Sequence, residues 1–203
     1  MAGNLAAYRT LIKAWLATTT DPATWTDAII DEGLRHALME FSAAAPPAEA
    51  TVTVGTAGRA QDLAALTDLD EIAAIGWPWN DGDQVFIPCR WRRVGATGVI
   101  VESGIPAAGD KMRVRCWRRC AVQGLDGATA TTVPDAREHL VVVGAAGHTL
   151  LLRVRQVAEH PAVPAAAAAV LQAVAAAWLA QYRAGLARMV VGSGVIAWGD
   201  VGL

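Results

Sequence analysis

Apolar positions change their period twice along this chain. Leu5, Tyr8, Leu11, Ile12, Trp15 and Leu16 recur at helical spacing, which predicts an amphipathic helix with Asn4 as its N-cap. The run Thr18-Thr19-Thr20-Asp21-Pro22 breaks it. A second helix is predicted from Thr26-Asp27, with Ile30, Leu34, Ala37, Leu38 and Phe41 on its buried face. It ends before Ala45-Pro46-Pro47, because the residue preceding a proline is driven out of the helical region.

Between 51 and 133 the pattern becomes short β-branched and aromatic runs separated by Gly, Pro, Asn and Asp clusters. Strands are expected at 51–54, 71–77, 83–94, 99–102 and 111–122, with a weaker one at 130–133. Tight turns at 80–83, 95–98 and 106–110 argue for an antiparallel meander or small sandwich. Residues 135–160 fit either a hairpin or one helix opening at Pro134-Asp135. The helical reading is favoured, with Ala136, Leu140, Val143, Gly147, Leu150 and Val154 along one side. Glycines inside such a helix cost about 1 kcal/mol each relative to alanine, so they predict close helix packing. A last helix is expected over 164–189, followed by an extended glycine-rich tail. The fold expected is therefore α+β: N-terminal helices (1–45), an inserted antiparallel β domain (51–133), C-terminal helices packing on the first pair (134–189), and an extended arm (190–203).

Composition narrows the function. The chain has 203 residues, 54% hydrophobic and 18% charged, which excludes a disordered tail. Arg9 and Lys13 interrupt the first apolar stretch, so it does not read as a secretory signal. Pro161 to Tyr182 carries no charge and reaches the ~20 residues of a bilayer span. It is mostly alanine, with two prolines and two glutamines, and is read as a packed helix. Three cysteines, Cys89, Cys116 and Cys120, do not suit a disulfide scaffold. The pair Cys116 and Cys120, placed in one predicted strand, lacks knuckle spacing for zinc. No G-x-S-x-G, phosphate loop or H-E-x-x-H occurs. No catalytic residues, metal or cofactor are expected.

Charge is uneven. Residues 90–119 hold eight basic side chains against two acidic ones, in a chain of net charge −2. Arg90, Arg92, Arg93, Arg113, Arg115, Arg118 and Arg119 are candidates for a DNA-backbone or subunit-contact surface; an exposed polar sheet face is the plainer reading. Asp62, Asp68, Asp70 and Glu71 are the acidic partner-surface candidates. Trp77, Trp79, Trp91 and Trp117 could instead form a sugar-binding platform. Val195, Ile196 and Trp198 are read as a docking arm suited to strand addition.

The order of these features resembles a family. Trp25-Thr26-Asp27 leads into Leu34-Arg35-His36-Ala37-Leu38-Met39-Glu40-Phe41-Ser42 and then Pro46-Pro47. A strand ends in Trp77-Pro78, and Gly104-Ile105-Pro106-Ala107-Ala108-Gly109-Asp110 precedes a basic strand. Thr132-Val133-Pro134 leads to Val143-Gly144-Ala145-Ala146-Gly147-His148, and the last helix carries Trp178, Tyr182-Arg183 and Leu186. This succession resembles the head-to-tail connector (adaptor, neck) proteins of tailed bacteriophages and prophages. The resemblance implies a homo-oligomeric ring, expected to be dodecameric, seated in the virion under the portal protein. Its partners would be the portal, a downstream neck or tail protein and genomic DNA passing non-specifically through the lumen, with no membrane. A tail terminator or head-closure stopper is the near alternative. The family has no catalytic residues to carry over.

Overall fold

The Asn4 side chain accepts a hydrogen bond from the Ala7 N–H at 3.1 Å and so caps α1, Leu5–Leu16. A computed structural model describes residues 3–17, 25–80, 82, 85–158 and 165–192. α2, Asp27–Ala44, follows with an extended Thr26 at its N-cap. Arg9 grips Asp31 through two bonds of 2.8 and 2.6 Å and reaches Asp27 at 3.0 Å, tying α1 to α2. Tyr8, Ile12 and Leu16 are buried from α1, as their spacing predicts, whereas Leu11 is 42% exposed.

Among the described residues there follow six strands: β1 Ala48–Thr53, β2 Ala60–Asp62, β3 Leu69–Trp79, β4 Trp91–Val94, β5 Gly98–Val101 and β6 Lys111–Arg118. They make two three-stranded antiparallel sheets, ordered β1-β6-β3 and β2-β5-β4. β3 shifts register against β6 at three places. Met112, Val114 and Cys116 face a core shared with Val52, Ile72, Ile75, Val99 and Val101. A single strand over 83–94 is not observed. Among the described residues of that span only 91–94 is strand, and Pro88, which has no N–H to donate, meets Gly76 in an isolated bridge. The predicted strand at 111–122 stops at Arg118, and 130–133 form no strand.

A short 3-10 turn at Asp135–Arg137 opens into α3, Glu138–Ala158, and α4 spans Ala165–Gly192. Residues 135–158 are thus helical, not a hairpin. Their glycines do what the helical reading required: a Cβ on Gly144 would lie 2.9 Å from the Tyr182 ring, and one on Gly147 2.9 Å from Leu179. Residues 190–192 continue α4 and are not extended tail.

Contacts divide the chain into two units, 46–119 and 1–45 with 120–203. Residues 120–133, placed with the strands by their β-branched pattern, belong to the helical unit. Val122, Leu125 and Val133 join its core. The Cys120 N–H donates to Ser42 Oγ at 2.8 Å, and the Leu5 N–H to the Gln123 carbonyl at 2.9 Å. Arg35 closes on Asp126 with bonds of 2.8 to 3.0 Å. The helices of both chain ends therefore pack as one body. Each large side chain fully buried there, such as Ile12, Leu34, Phe41 or Leu150, contributes roughly 1.5–3 kcal/mol by leaving water. Among the described residues no helix is long and apolar enough to cross a membrane.

Candidate functional site

Strand alternation makes the most organised polar surface of the β unit. With Met112, Val114 and Cys116 turned inward, Lys111, Arg113, Arg115 and Trp117 fall on the opposite face of β6. The β1 register sets Thr51 opposite Arg113 and Glu49 opposite Arg115. Glu49 accepts from Arg115 Nε at 2.6 Å and from Arg113 Nε at 3.1 Å, and Arg113 also donates to Thr51 Oγ1 at 2.9 Å. Each guanidinium lies over an aromatic ring: Arg113 over Trp79 at 5.1 Å and Arg115 over Phe86 at 4.2 Å. Such pairs contribute about 0.5–1 kcal/mol at exposed sites. Gly76 leaves room for the Phe86 ring, since a Cβ there would come within 3.1 Å of it. The Arg115 hydrogen bond first, and that of Arg113 after it, holds the Glu49 carboxyl below its ordinary range against the opposing effect of burial. The result is two neighbouring guanidiniums, each held over an aromatic ring and both tied to one carboxylate, and guanidiniums are suited to recognising planar or anionic groups.

The remaining arginines do not join this face as one patch. Arg92 pairs with Glu102 at 3.6 Å on β4 and β5. Arg93 donates to the carbonyls of Asp70 and Ala96 at 2.8 and 2.7 Å. Arg119 meets Asp70 at 3.3 Å. The Arg118 Nε is buried with no hydrogen-bond partner, and Arg90 is exposed. Over 46–119, nine basic side chains face nine acidic ones, so the basic run is neutralised within its own unit. The acidic candidates are partly turn formers. Asp62 accepts from the Ala64 N–H at 2.9 Å, and Asp68 sits at φ 59°. Glu71 stands opposite Trp117. Val195, Ile196 and Trp198 lie outside the described residues.

The four β-unit tryptophans do not share one role. Trp77 donates to Asp110 at 3.1 Å, and its ring covers Gly104, where a Cβ would lie 2.4 Å away. Trp77 and Trp91 pack against the β core, whereas Trp79 carries Arg113. Burial raises the Cys89 and Cys120 thiols above their ordinary range. Among the described residues, no group of three or more His, Cys, Asp or Glu is placed to hold a metal ion.

The helical unit contains a cluster that residue spacing alone does not expose. His36 of α2 and His148 of α3 stack with centroids 5.4 Å apart. Glu40, one turn after His36, lies 3.4 Å from His148 and 3.6 Å from Arg183 of α4. The available signal was the His36–Glu40 spacing on one helix face; nothing local pointed to His148. The chain matches no protein-family model and no curated protein sequence.

Proposed function

We infer that this protein is a structural subunit of a tailed-phage or prophage neck: a head-to-tail connector. It forms a homo-oligomeric ring under the portal, joins capsid to the next neck or tail component, and lets DNA pass. The observation that carries this reading is the architecture. Helices from the two chain ends build one body, and a β unit is inserted between 45 and 120, in the same order as the motifs that resemble the connector family. A closed ring needs two different, complementary faces on every subunit. Arg113 and Arg115, held on Trp79 and Phe86 by Glu49, supply one preorganised face at little entropic cost on contact. Because the β unit is charge-neutral, that face suits a subunit or portal surface better than bulk attraction to DNA.

Electron microscopy of the purified protein, alone and mixed with its portal, tests the reading. Rings with a central hole, or a new layer on the portal, are expected, and class averages give the copy number. Rings that cap a tail tube instead would establish the terminator alternative. A chain that stays monomeric in both samples would sink the neck reading.

A further inference from the structure

The junction of α2, α3 and α4 buries an imidazole for which the neck reading has no use. The His148 side chain is 12% exposed. Its ring lies against His36 with planes 27° apart. Its Nε2 is buried without a hydrogen-bond partner, and Glu40 Oε1 lies 3.4 Å from it. The charged and titratable groups facing it come from two elements. α2 presents His36 and Glu40. α4 presents Arg183, whose Nη2 is 3.6 Å from the same Glu40 oxygen, and Tyr182, edge-on at 6.5 Å. The Tyr182 hydroxyl donates to the Ala37 carbonyl at 2.5 Å, and burial keeps it protonated. Glu32 reaches the Nε2 of His36, at 3.6 Å.

We propose that the His36–His148 stack is an acid-sensitive clasp between α2 and α3, closed while the buried His148 imidazole is neutral and released when it takes a proton. His36 is the outer ring, 42% exposed and beside Glu32. A proton on His148 creates a cation in a site withdrawn from water, against the His36 ring and close to Arg183. Glu40 opposes this, but it is shared with Arg183. Burial, then His36 and Arg183, accordingly hold His148 below the ordinary imidazole value, with Glu40 pulling the other way. The sign follows. The open state takes a proton that the closed state refuses. The clasp's contribution is therefore complete above about pH 6.5 and is lost as pH falls through the window beneath it. The closed-to-open ratio drops by up to about tenfold per pH unit there, one proton's worth. The clasp does not depend on the neck reading, because it needs only the helical body.

The test is a histidine-resolved NMR titration of the full chain, together with denaturation midpoints between about pH 7.5 and 5, for the native protein, His36→Gln and His148→Gln. His148 is expected to titrate below the ordinary value and to move upward in His36→Gln. The native midpoint should fall more steeply with acid than that of either variant. A His148 resonance titrating at or above the ordinary value, or one unmoved by His36→Gln, would overturn the clasp. If His148→Gln does not fold, the native titration and the half-exposed His36→Gln still decide the matter.

Discussion

At the scale of single residues, the helical body depends on atoms that are missing. Gly33 is buried where α2 meets α3. A Cβ there would lie 2.2 Å from Thr149 Oγ1 and 2.8 Å from both the Ala145 carbonyl oxygen and the Thr149 nitrogen. Alanine would raise helix propensity by about 1 kcal/mol, but two of these three overlaps are with backbone, which cannot rotate away. Gly33→Ala is expected to lose a net ~1–3 kcal/mol, the usual range for overpacking, read as a lower thermal midpoint. Adding Thr149→Ala should restore only part of it, since that removes the hydroxyl and leaves the two backbone contacts. Full restoration would show that the hydroxyl alone set the limit. The close packing at Gly144 and Gly147 was legible in the sequence, because a glycine inside an apolar helical pattern has few other uses; that at Gly33 was not read. Nor was the His36–His148 stack. Its members stand on helices separated by the entire β unit, and no local spacing encodes a contact across that distance.

At the scale of elements, period carried far and punctuation less so. The alternation of β6 was readable from Met112, Val114 and Cys116, and so was the outward face of Arg113 and Arg115. The partner of that face was not, because pairing depends on register. It is β1, five strands away in sequence, that brings Glu49 between the two arginines. Residues 83–90 read as strand by composition, but Pro88 admits only a single bridge. β2, three residues long, is too short to show a period. The Glu49 pairing predicts its own pH dependence. Its carboxyl is held below the ordinary value of about 4.3, so its contribution is present above that value and is lost as acid passes through the lower, folded value. The side chain is 36% exposed, so solvent screening keeps the contribution under about 1 kcal/mol. Glu49→Gln should therefore lower the neutral-pH denaturation midpoint slightly and flatten its fall below about pH 5. An unchanged acid limb in urea titrations would mean that Glu49 does not organise the two arginines.

At the scale of the whole molecule, a strongly basic run does not make its unit basic, because residues 46–119 carry nine acidic side chains for their nine basic ones. The acidic residues of 49–83 and the basic residues of 90–119 belong to one folded unit, and Arg119–Asp70, Arg92–Glu102 and the Glu49 pairs close within it. What sequence shows as two blocks of opposite sign becomes internal pairing. The helical unit is likewise self-contained. Its core draws on α1, α2, the returning segment 120–133, α3 and α4. Its two internal chain ends are held together by the 2.8 Å bond from the Cys120 N–H to Ser42 Oγ. That proximity predicts that residues 46–119 can be replaced by a short Gly-Ser linker, because closing a short loop between adjacent ends costs little entropy. The shortened chain should keep its helical circular dichroism and melt in one cooperative transition. If it forms helix without a cooperative melt, the β unit is required for the helical core to pack. On the proposed neck reading, a shortened chain that melts cooperatively and still assembles on a portal assigns the ring contacts to the helices. If it melts cooperatively and no longer assembles, the contacts belong to the β unit, and Arg113 and Arg115 on their aromatic rings are where to look for them.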